Sequence, residues 1–369
     1  MKHFSLIISA LFLFASCTTK TVDYEHVGTE YAQGFTLEQT HDFTRLGVRN
    51  PWHEGEMLAV YYLVHDDTTA VPDDGIRVRV PISRLATTSC THIGFLKALD
   101  CLNAVCGVCD PALIYNAEVL TPADGHEVFD IGDAMQVSVE RVLRAAPEAV
   151  MVSTYAQGDA ASARLRELGQ VVIYNNEWTE NHPLARTEWI RFVAAFFDQL
   201  PKADSLFQEI SSEYVALTEQ VKTYPKPKPS IMSGNNFRGT WYVSSGKMYM
   251  GVLFRDAGAE YAYADDESVM SIPLTIEKVL KQFSDADVWV GSAANTLDEL
   301  RDMDDKHTWF KSYKNKRVYN FYRRRTPTGA NDYWEMGVVH PEWVLSDLIT
   351  ILYPEQNPHR PLIFSNRLE

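Results

Sequence analysis

The chain has no apolar run long enough to cross a bilayer. It is short of positive charge. With 34 Lys and Arg against 49 Asp and Glu, the net charge is −15, which excludes the basic field that a nucleic-acid surface requires. That balance also suits a soluble body better than one pressed against an anionic membrane. Catalytic signatures are missing. There is no Gly-x-Ser-x-Gly elbow, no His-Glu-x-x-His pair and no Gly-rich phosphate loop. No carboxylates stand in a pattern that marks an acid–base pair, so binding is favoured over catalysis. No His-rich loop or His/Asp/Glu set points to zinc or manganese, and His92 and His340 read as core or capping residues. Cysteine is scarce: of five, four fall between Cys90 and Cys109. Cys106-Gly107-Val108-Cys109 has metal or redox spacing but lacks the second half of a zinc site. Cys90, Cys101, Cys106 and Cys109 are therefore expected as structural disulfides, for which three pairings exist, or as free buried thiols.

What is present begins with a targeting segment. Lys2 and His3 precede an apolar run, Phe4–Phe14, too short to span a bilayer. Phe14-Ala15-Ser16-Cys17 comes next, and small residues before a cysteine resemble a bacterial lipoprotein cleavage box. The resemblance implies that Cys17 becomes the lipidated first residue. The 369 residues suffice for two domains. Thr21–Asp74 reads as mostly β, a small sheet extension laid on the first of them.

Two helical patterns, Leu184–Leu200 and Lys202–Lys222, occupy the middle of the chain, and three alternating prolines (Pro225, Pro227, Pro229) end them. The sequences either side are related. Ser138-Val139-Glu140-Arg141-Val142-Leu143-Arg144 precedes the apolar run Ala149–Val152. Thr275-Ile276-Glu277-Lys278-Val279-Leu280-Lys281 precedes Val288-Trp289-Val290. Each reads as a helix opened by Ser or Thr and followed by a buried strand. Strands alternating with helices imply parallel sheets with right-handed crossovers. The expected fold is α/β: two Rossmann-like lobes joined by a long helical connector, with an N-terminal β extension. The expected boundaries are 1–16 for a signal peptide, 17–75 for linker and extension, 76–183 and 225–369 for the lobes, and 184–224 for the connector. Ile76–Ile82 is expected to open the first lobe, and Lys316–Phe321 to be a strand of the second.

Ligands of open parallel sheets lie beyond the carboxyl ends of the strands. The first lobe offers Thr87, Thr88, Tyr155 and Trp178 there. The second offers Arg238, Trp241 and Tyr242, and the run Arg323, Arg324 and Arg325 after its last strand. Aromatic faces with guanidinium groups suit a large, flat or anionic small molecule.

At this point the chain resembles the substrate-binding proteins of ABC importers for iron–siderophore complexes, haem and cobalamin. The residues that carry the resemblance are Val78–Thr91, Ala98-Leu99, Val105–Val108 and Ser138–Val152. They continue through the connector helices, Thr275–Val290, Asn315–Tyr319 and His340–Glu355. It implies two lobes on a rigid helical connector, a cleft that closes only slightly, and one glutamate per lobe, Glu140 and Glu277, that pairs with arginines of the membrane permease. The expected protein is a lipid-anchored periplasmic monomer that delivers a metal chelate, iron–siderophore first, to an ABC importer permease. It would use no cofactor of its own and no metal site. Haem or cobalamin is the alternative cargo. A chelatase-like enzyme on the same scaffold, or a storage lipoprotein without a permease, are the rival readings.

Overall fold

The computed structural model describes residues 25–155 and 159–369; the signal segment and Cys17 lie outside the described residues. Alternation builds the first element. β1 (Glu25–His26), β2 (Phe35–Gln39), β3 (Thr44–Arg49) and β4 (Met57–Val64) form an antiparallel meander. Phe35, Leu37, Leu46, Val48, Tyr61 and Leu63 turn to one buried face. β5 (Ile76–Arg79) joins this sheet parallel to β4. The segment expected to open the first lobe is thus the last strand of the extension. Pro81, which has no N–H to donate, stands just beyond it.

The first lobe begins at β6 (Leu85–Thr87) and runs through α1 (Cys90–Ala98), β7 (Val105–Val108), β8 (Phe129–Asp130) and the hairpin β9 (Gly132–Asp133)–β10 (Gln136–Val137). α2 (Val139–Ala145), β11 (Ala149–Val152), α3 (Ala160–Glu167) and β12 (Val171–Tyr174) complete it. Its sheet is parallel, in the order β12-β11-β6-β7-β8. The extension covers the open edge. The Tyr61 hydroxyl donates to the Val172 carbonyl and accepts from the Tyr174 N–H, both at 2.9 Å, satisfying groups an edge strand leaves bare.

The connector is a helical hairpin rather than one straight rod. α4 (Pro183–Ala195) ends before Asp198, whose φ of +56° reverses the chain, and α5 (Leu200–Lys222) folds back. Arg191 on α4 reaches Asp204 on α5 at 2.8 Å and lies over the Phe207 ring. Every residue of α4 except Arg186 is buried. This helix is the hub on which extension and lobes pack. α5 shows the expected amphipathic stripe, Phe207, Ile210, Tyr214, Leu217 and Val221. It is about 35 Å long; near its start Lys202 pairs with Asp100 of the first lobe, and midway along it Tyr214 donates to Asp256 of the second.

The second lobe contains β13 (Ser230–Ser233), β14 (Asn236–Phe237), β15 (Thr240–Val243), α6 (Tyr249–Asp256), β16 (Glu260–Tyr261), β17 (Ile272–Leu274), α7 (Ile276–Phe283) and β18 (Val288–Val290). α8 (Leu297–Met303), α9 (Lys311–Lys314), β19 (Tyr319–Asn320), α10 (Met336–Val339), α11 (Pro341–Leu352) and β20 (Asn366–Arg367) complete it. A separate parallel sheet, β16-β13-β18, is extended by the Trp289–Val318 bridge. The last expected strand is thus only Tyr319–Asn320 long. β14-β15-β17 form a small antiparallel flap.

The duplication seen in the sequence is a duplication in structure. Ser138 caps α2 by accepting from the Arg141 N–H, and Thr275 caps α7 by accepting from that of Lys278. Val142 and Val279 are both fully buried, whereas Glu140 and Glu277 are exposed. Each helix leads into a strand that runs parallel to its sheet neighbours. Both N-termini therefore stand at the carboxyl-end side of their sheets.

Candidate functional site

The carboxyl ends of β6, β11 and β12 lead into Thr88–Thr91, Ser153–Tyr155 and Asn175–Trp178. Tyr155 and Trp178 stand out of this edge, 54% and 37% exposed, with ring centroids 5.3 Å apart. Beneath them lies a buried ion pair. Glu177, 1% exposed, meets Arg186 at 3.2 Å. The Arg186 guanidinium also lies 4.9 Å over the Tyr249 ring of the second lobe. The one residue of the hub helix not buried thus bridges a first-lobe loop and a second-lobe helix. Burial raises the Glu177 carboxyl above its ordinary value, with Arg186 opposing. Burial likewise pushes the Tyr249 hydroxyl up to about 12 and the Cys90 thiol, which faces Glu335 and Glu177, up to about 12. Cys90 is a neutral thiol here.

From the second lobe the β14–β15 hairpin projects directly after β13. Arg238 and Gly239 have φ of +52° and +90°, the two-residue loop that matches strand twist. The Arg238 guanidinium lies over the exposed Phe237 ring at 5.1 Å. Strand alternation then separates two residues expected to act together. Tyr242 is 45% exposed, whereas Trp241 is 1% exposed. Trp241 packs on Trp289 and Phe310 and donates to the Ser233 carbonyl at 2.9 Å. Trp241 is a core residue, not a cleft residue.

Thr87 and Thr88 need the same correction. Thr87 is buried with its hydroxyl 2.6 Å from His92 Nδ1, and the Thr88 hydroxyl accepts from the Ser153 N–H. Both serve the floor of the sheet. His92 is buried with its pKa lowered to about 3 by desolvation, a core histidine as expected.

The three arginines part company. Arg323 and Arg325 are exposed, the latter over the Tyr322 ring at 4.4 Å. Arg324 pairs with the buried Asp332 at 2.8 Å and faces the Tyr115 ring of the other lobe. Its segment belongs to a second tie between the lobes. Buried Glu335 accepts from the N–H of Asn116 at 3.0 Å and from its side-chain amide at 2.6 Å, and from the Tyr115 N–H. Thr328 donates to the Ala112 carbonyl at 2.9 Å. α1 presses on the same segment. A Cβ at Gly94 would stand 2.3 Å from the Glu335 carbonyl oxygen.

The structure brings Tyr155 and Trp178 together on one lobe and Arg238 and Tyr242 together on the flap of the other. Sequence reasoning missed Arg186 and Tyr249. The signal for Arg186 was a cation in the first turn of a helix whose other residues are mostly apolar. Among the described residues all four cysteines are free thiols, which removes the disulfide alternative. Among them, no three His, Cys, Asp or Glu side chains converge as a metal ion requires. Nor is any described helix long and apolar enough to cross a membrane.

Residues 96–322, more than half of the chain, match the periplasmic binding protein family. The chain belongs to that family. An uncharacterised lipoprotein of Methanocaldococcus jannaschii, MJ0878, is 26% identical over 287 residues, covering 75% of this chain and 67% of its own. Among solved structures, a possible iron-binding (periplasmic solute-binding) protein from Staphylococcus epidermidis superposes with a TM-score of 0.56 at 16% identity, covering 74% of this chain and 99% of that one. The periplasmic haem-binding protein HutB of Vibrio cholerae gives 0.56 at 16% identity, covering 73% and 99%. At such identities the structural likeness establishes the fold, and the family match makes this periplasmic binding protein a solute-binding protein. The extension strands β1–β5 lie wholly before the matched residues.

Proposed function

We propose that this periplasmic binding protein, lipid-anchored through Cys17, captures a metal chelate between its lobes and delivers it to an ABC importer permease, without transforming it. The carrying observation is the half-exposed Tyr155–Trp178 pair standing over the buried Glu177–Arg186–Tyr249 tie where the lobes meet. Exposed rings give a flat, rigid apolar wall at little entropic cost. Arg238, Arg323 and Arg325 supply cations for a chelate that carries negative charge, with Tyr242 on the flap. This makes an iron–siderophore the first candidate. Haem or cobalamin is the second, favoured by the density of aromatics and by the haem-binding description of HutB. Glu140 and Glu277 are the proposed contacts to permease arginines. Both are exposed at capped helix N-termini on the carboxyl-end side of their sheets, where the macrodipole also favours a carboxylate.

The test is titration of the soluble body with a ferric catecholate, a ferric hydroxamate, haemin and cobalamin, read by quenching of tryptophan emission. A ferric siderophore is expected to bind at least about tenfold tighter than haemin, a difference of about 1.4 kcal/mol. Trp178→Ala is expected to weaken it by about tenfold or more. Tightest binding of haemin would move the assignment to the second candidate. Indifference to all four chelates would sink the chelate reading.

A further inference from the structure

Buried polar atoms in a folded protein nearly always have a hydrogen-bond partner. The ion pair beneath Tyr155 and Trp178 holds two that do not. One hydrogen bond, from Arg186 Nη2 to Glu177 Oε1 at 3.2 Å, joins the pair. Among the described residues Glu177 Oε2 and Arg186 Nε have no hydrogen-bond partner. A guanidinium presents five N–H donors in a fork that fits two oxygens at once, so a single oxygen leaves part of the fork unused. The Arg186 side chain keeps 12% exposure and that of Glu177 1%. The half-exposed Tyr155 ring faces both of them and Cys90. The way from the cleft to the cation therefore runs past Tyr155.

The other groups that face Glu177 are uncharged. α1 brings the Cys90 thiol and the Thr91 hydroxyl, the loop after β11 brings the Tyr155 phenol, and the turn of Glu177 itself brings the Trp178 N–H. Behind Cys90 stands a second buried carboxyl, that of Glu335. Arg186 in turn faces the Tyr249 and Tyr333 rings of the second lobe, whose hydroxyls burial keeps protonated. Among the described residues Arg186 is thus the one cation paired with Glu177. Taking it away leaves a buried carboxylate without a counter-charge, a state that proteins escape by neutralising the group. Burial already holds the Glu177 carboxyl above its ordinary value against the pull of Arg186.

We propose that capture of an anionic cargo is coupled to uptake of a proton at Glu177. A pair of carboxylate or catecholate oxygens on the cargo enters past Tyr155 and accepts from Arg186 at Nε and Nη2. The hydrogen bond from Nη2 to Glu177 Oε1 breaks, and Glu177 takes one proton from solvent to become a neutral acid. Charge balances, because one negative charge of the pair is neutralised as the cargo brings its own. The proposal rests on the chelate reading of the cleft and adds a selection by charge: a neutral chelate has nothing to exchange for Glu177. The loaded state holds more protons than the empty one, so affinity for an anionic cargo rises as pH falls. The dependence ends where Glu177 is already protonated in the empty protein.

The test is calorimetric titration of the soluble body with four probes. A hexadentate ferric tricatecholate and haemin are anionic; a ferric trihydroxamate and cyanocobalamin carry no net negative charge. Each titration is run in phosphate and in Tris, whose ionisation enthalpies differ, so the difference in heat counts protons. The tighter-binding anionic probe is expected to bring about one proton with it, and its Kd to fall by about tenfold or more from pH 8 to pH 6. Glu177→Gln, a neutral stand-in for the protonated acid, is expected to bind that probe about tenfold tighter than the native protein at pH 8 and to lose the pH dependence. The proton count with this variant also subtracts what the probe itself takes up or releases. A merely structural Glu177 would instead give weaker binding with the pH dependence intact. The count on the native protein decides the matter even where the variant does not fold. An anionic probe that binds without proton uptake, or equally well at pH 8 and pH 6, overturns the coupling and leaves the chelate reading standing. Binding of the uncharged probes alone does the same. Silence toward all four takes the chelate reading down as well.

Discussion

Glu188 is fully buried in the middle of α4, a costly position for a carboxylate unless its lone pairs are filled. They are filled by the chain it captures. The N–H groups of Glu30, Tyr31 and Ala32 donate at 2.8, 2.8 and 2.7 Å, and Arg191 at 2.6 Å. Glu180 repeats the device one segment on, accepting from Gln33, Gly34 and the Trp189 indole. Two acids thus bolt the extension to the hub. Glu188→Ala is expected to cost about 3–5 kcal/mol, because it strands three amides and a buried guanidinium. Urea unfolding checks the size. Accelerated amide exchange at residues 30–32 checks the place, and unchanged exchange there would show that the contact is dispensable. Neither role was legible in the sequence. The two acids lie some 150 residues from the amides they hold, and local pattern carries no information about such pairs. The inward Trp241 and outward Tyr242 show the complementary case. Alternation along a strand says that neighbours face opposite ways, but not which of them faces the core.

At the scale of elements, the paired helices α2 and α7 were the most legible part of the chain. Cap, acid, buried valine and following strand all recur at fixed spacing, and each has a local physical cause. The connector was half legible. Periodicity located both helices within a few residues, but the reversal at Asp198 turns on one backbone dihedral that no period reveals. The boundary of the first lobe was misplaced for a related reason. Ile76–Arg79 reads as a strand in isolation, and only its partner β4 decides which sheet owns it. Where elements meet, titratable groups are buried. Desolvation raises the carboxyls of Glu177, Glu180, Glu335, Glu342 and Asp347 above their ordinary values. Folding then favours their protonated forms. The stability they contribute is fully present below the unfolded carboxyl pKa, about 4, and is lost as pH rises through the raised folded values. Glu177→Gln removes one such group. Relative to this variant, the native protein is expected to gain stability as pH falls from about 7 to about 5, read as the difference in Tm between the two. A difference independent of pH would mean that Glu177 titrates normally.

For the whole molecule, the expectation of two lobes held apart by a spacer needs amendment. They are two lobes with separate sheets, but they touch. The hub helix bridges them through Arg186, and the segment 324–335 reaches back to Ala112–Asn116. Such a doubly tied pair opens by breaking specific contacts rather than by free hinging. Glu335→Ala removes the acceptor for three donors and is expected to cost about 2–3 kcal/mol in stability. It should also broaden the distance distribution between labels placed on α3 and α8, measured by single-molecule energy transfer. A distribution as narrow as the native one would assign lobe spacing to the hub alone.

Gly94 then acquires a meaning beyond packing. α1 can lie against the Glu335 backbone only because residue 94 carries no side chain. Any other amino acid there would act as a shim, pushing α1 away from the Glu335 backbone and so straining the tie between the halves. In a solute-binding protein built of two lobes, their approach at this point thus depends on the lack of a single methyl group.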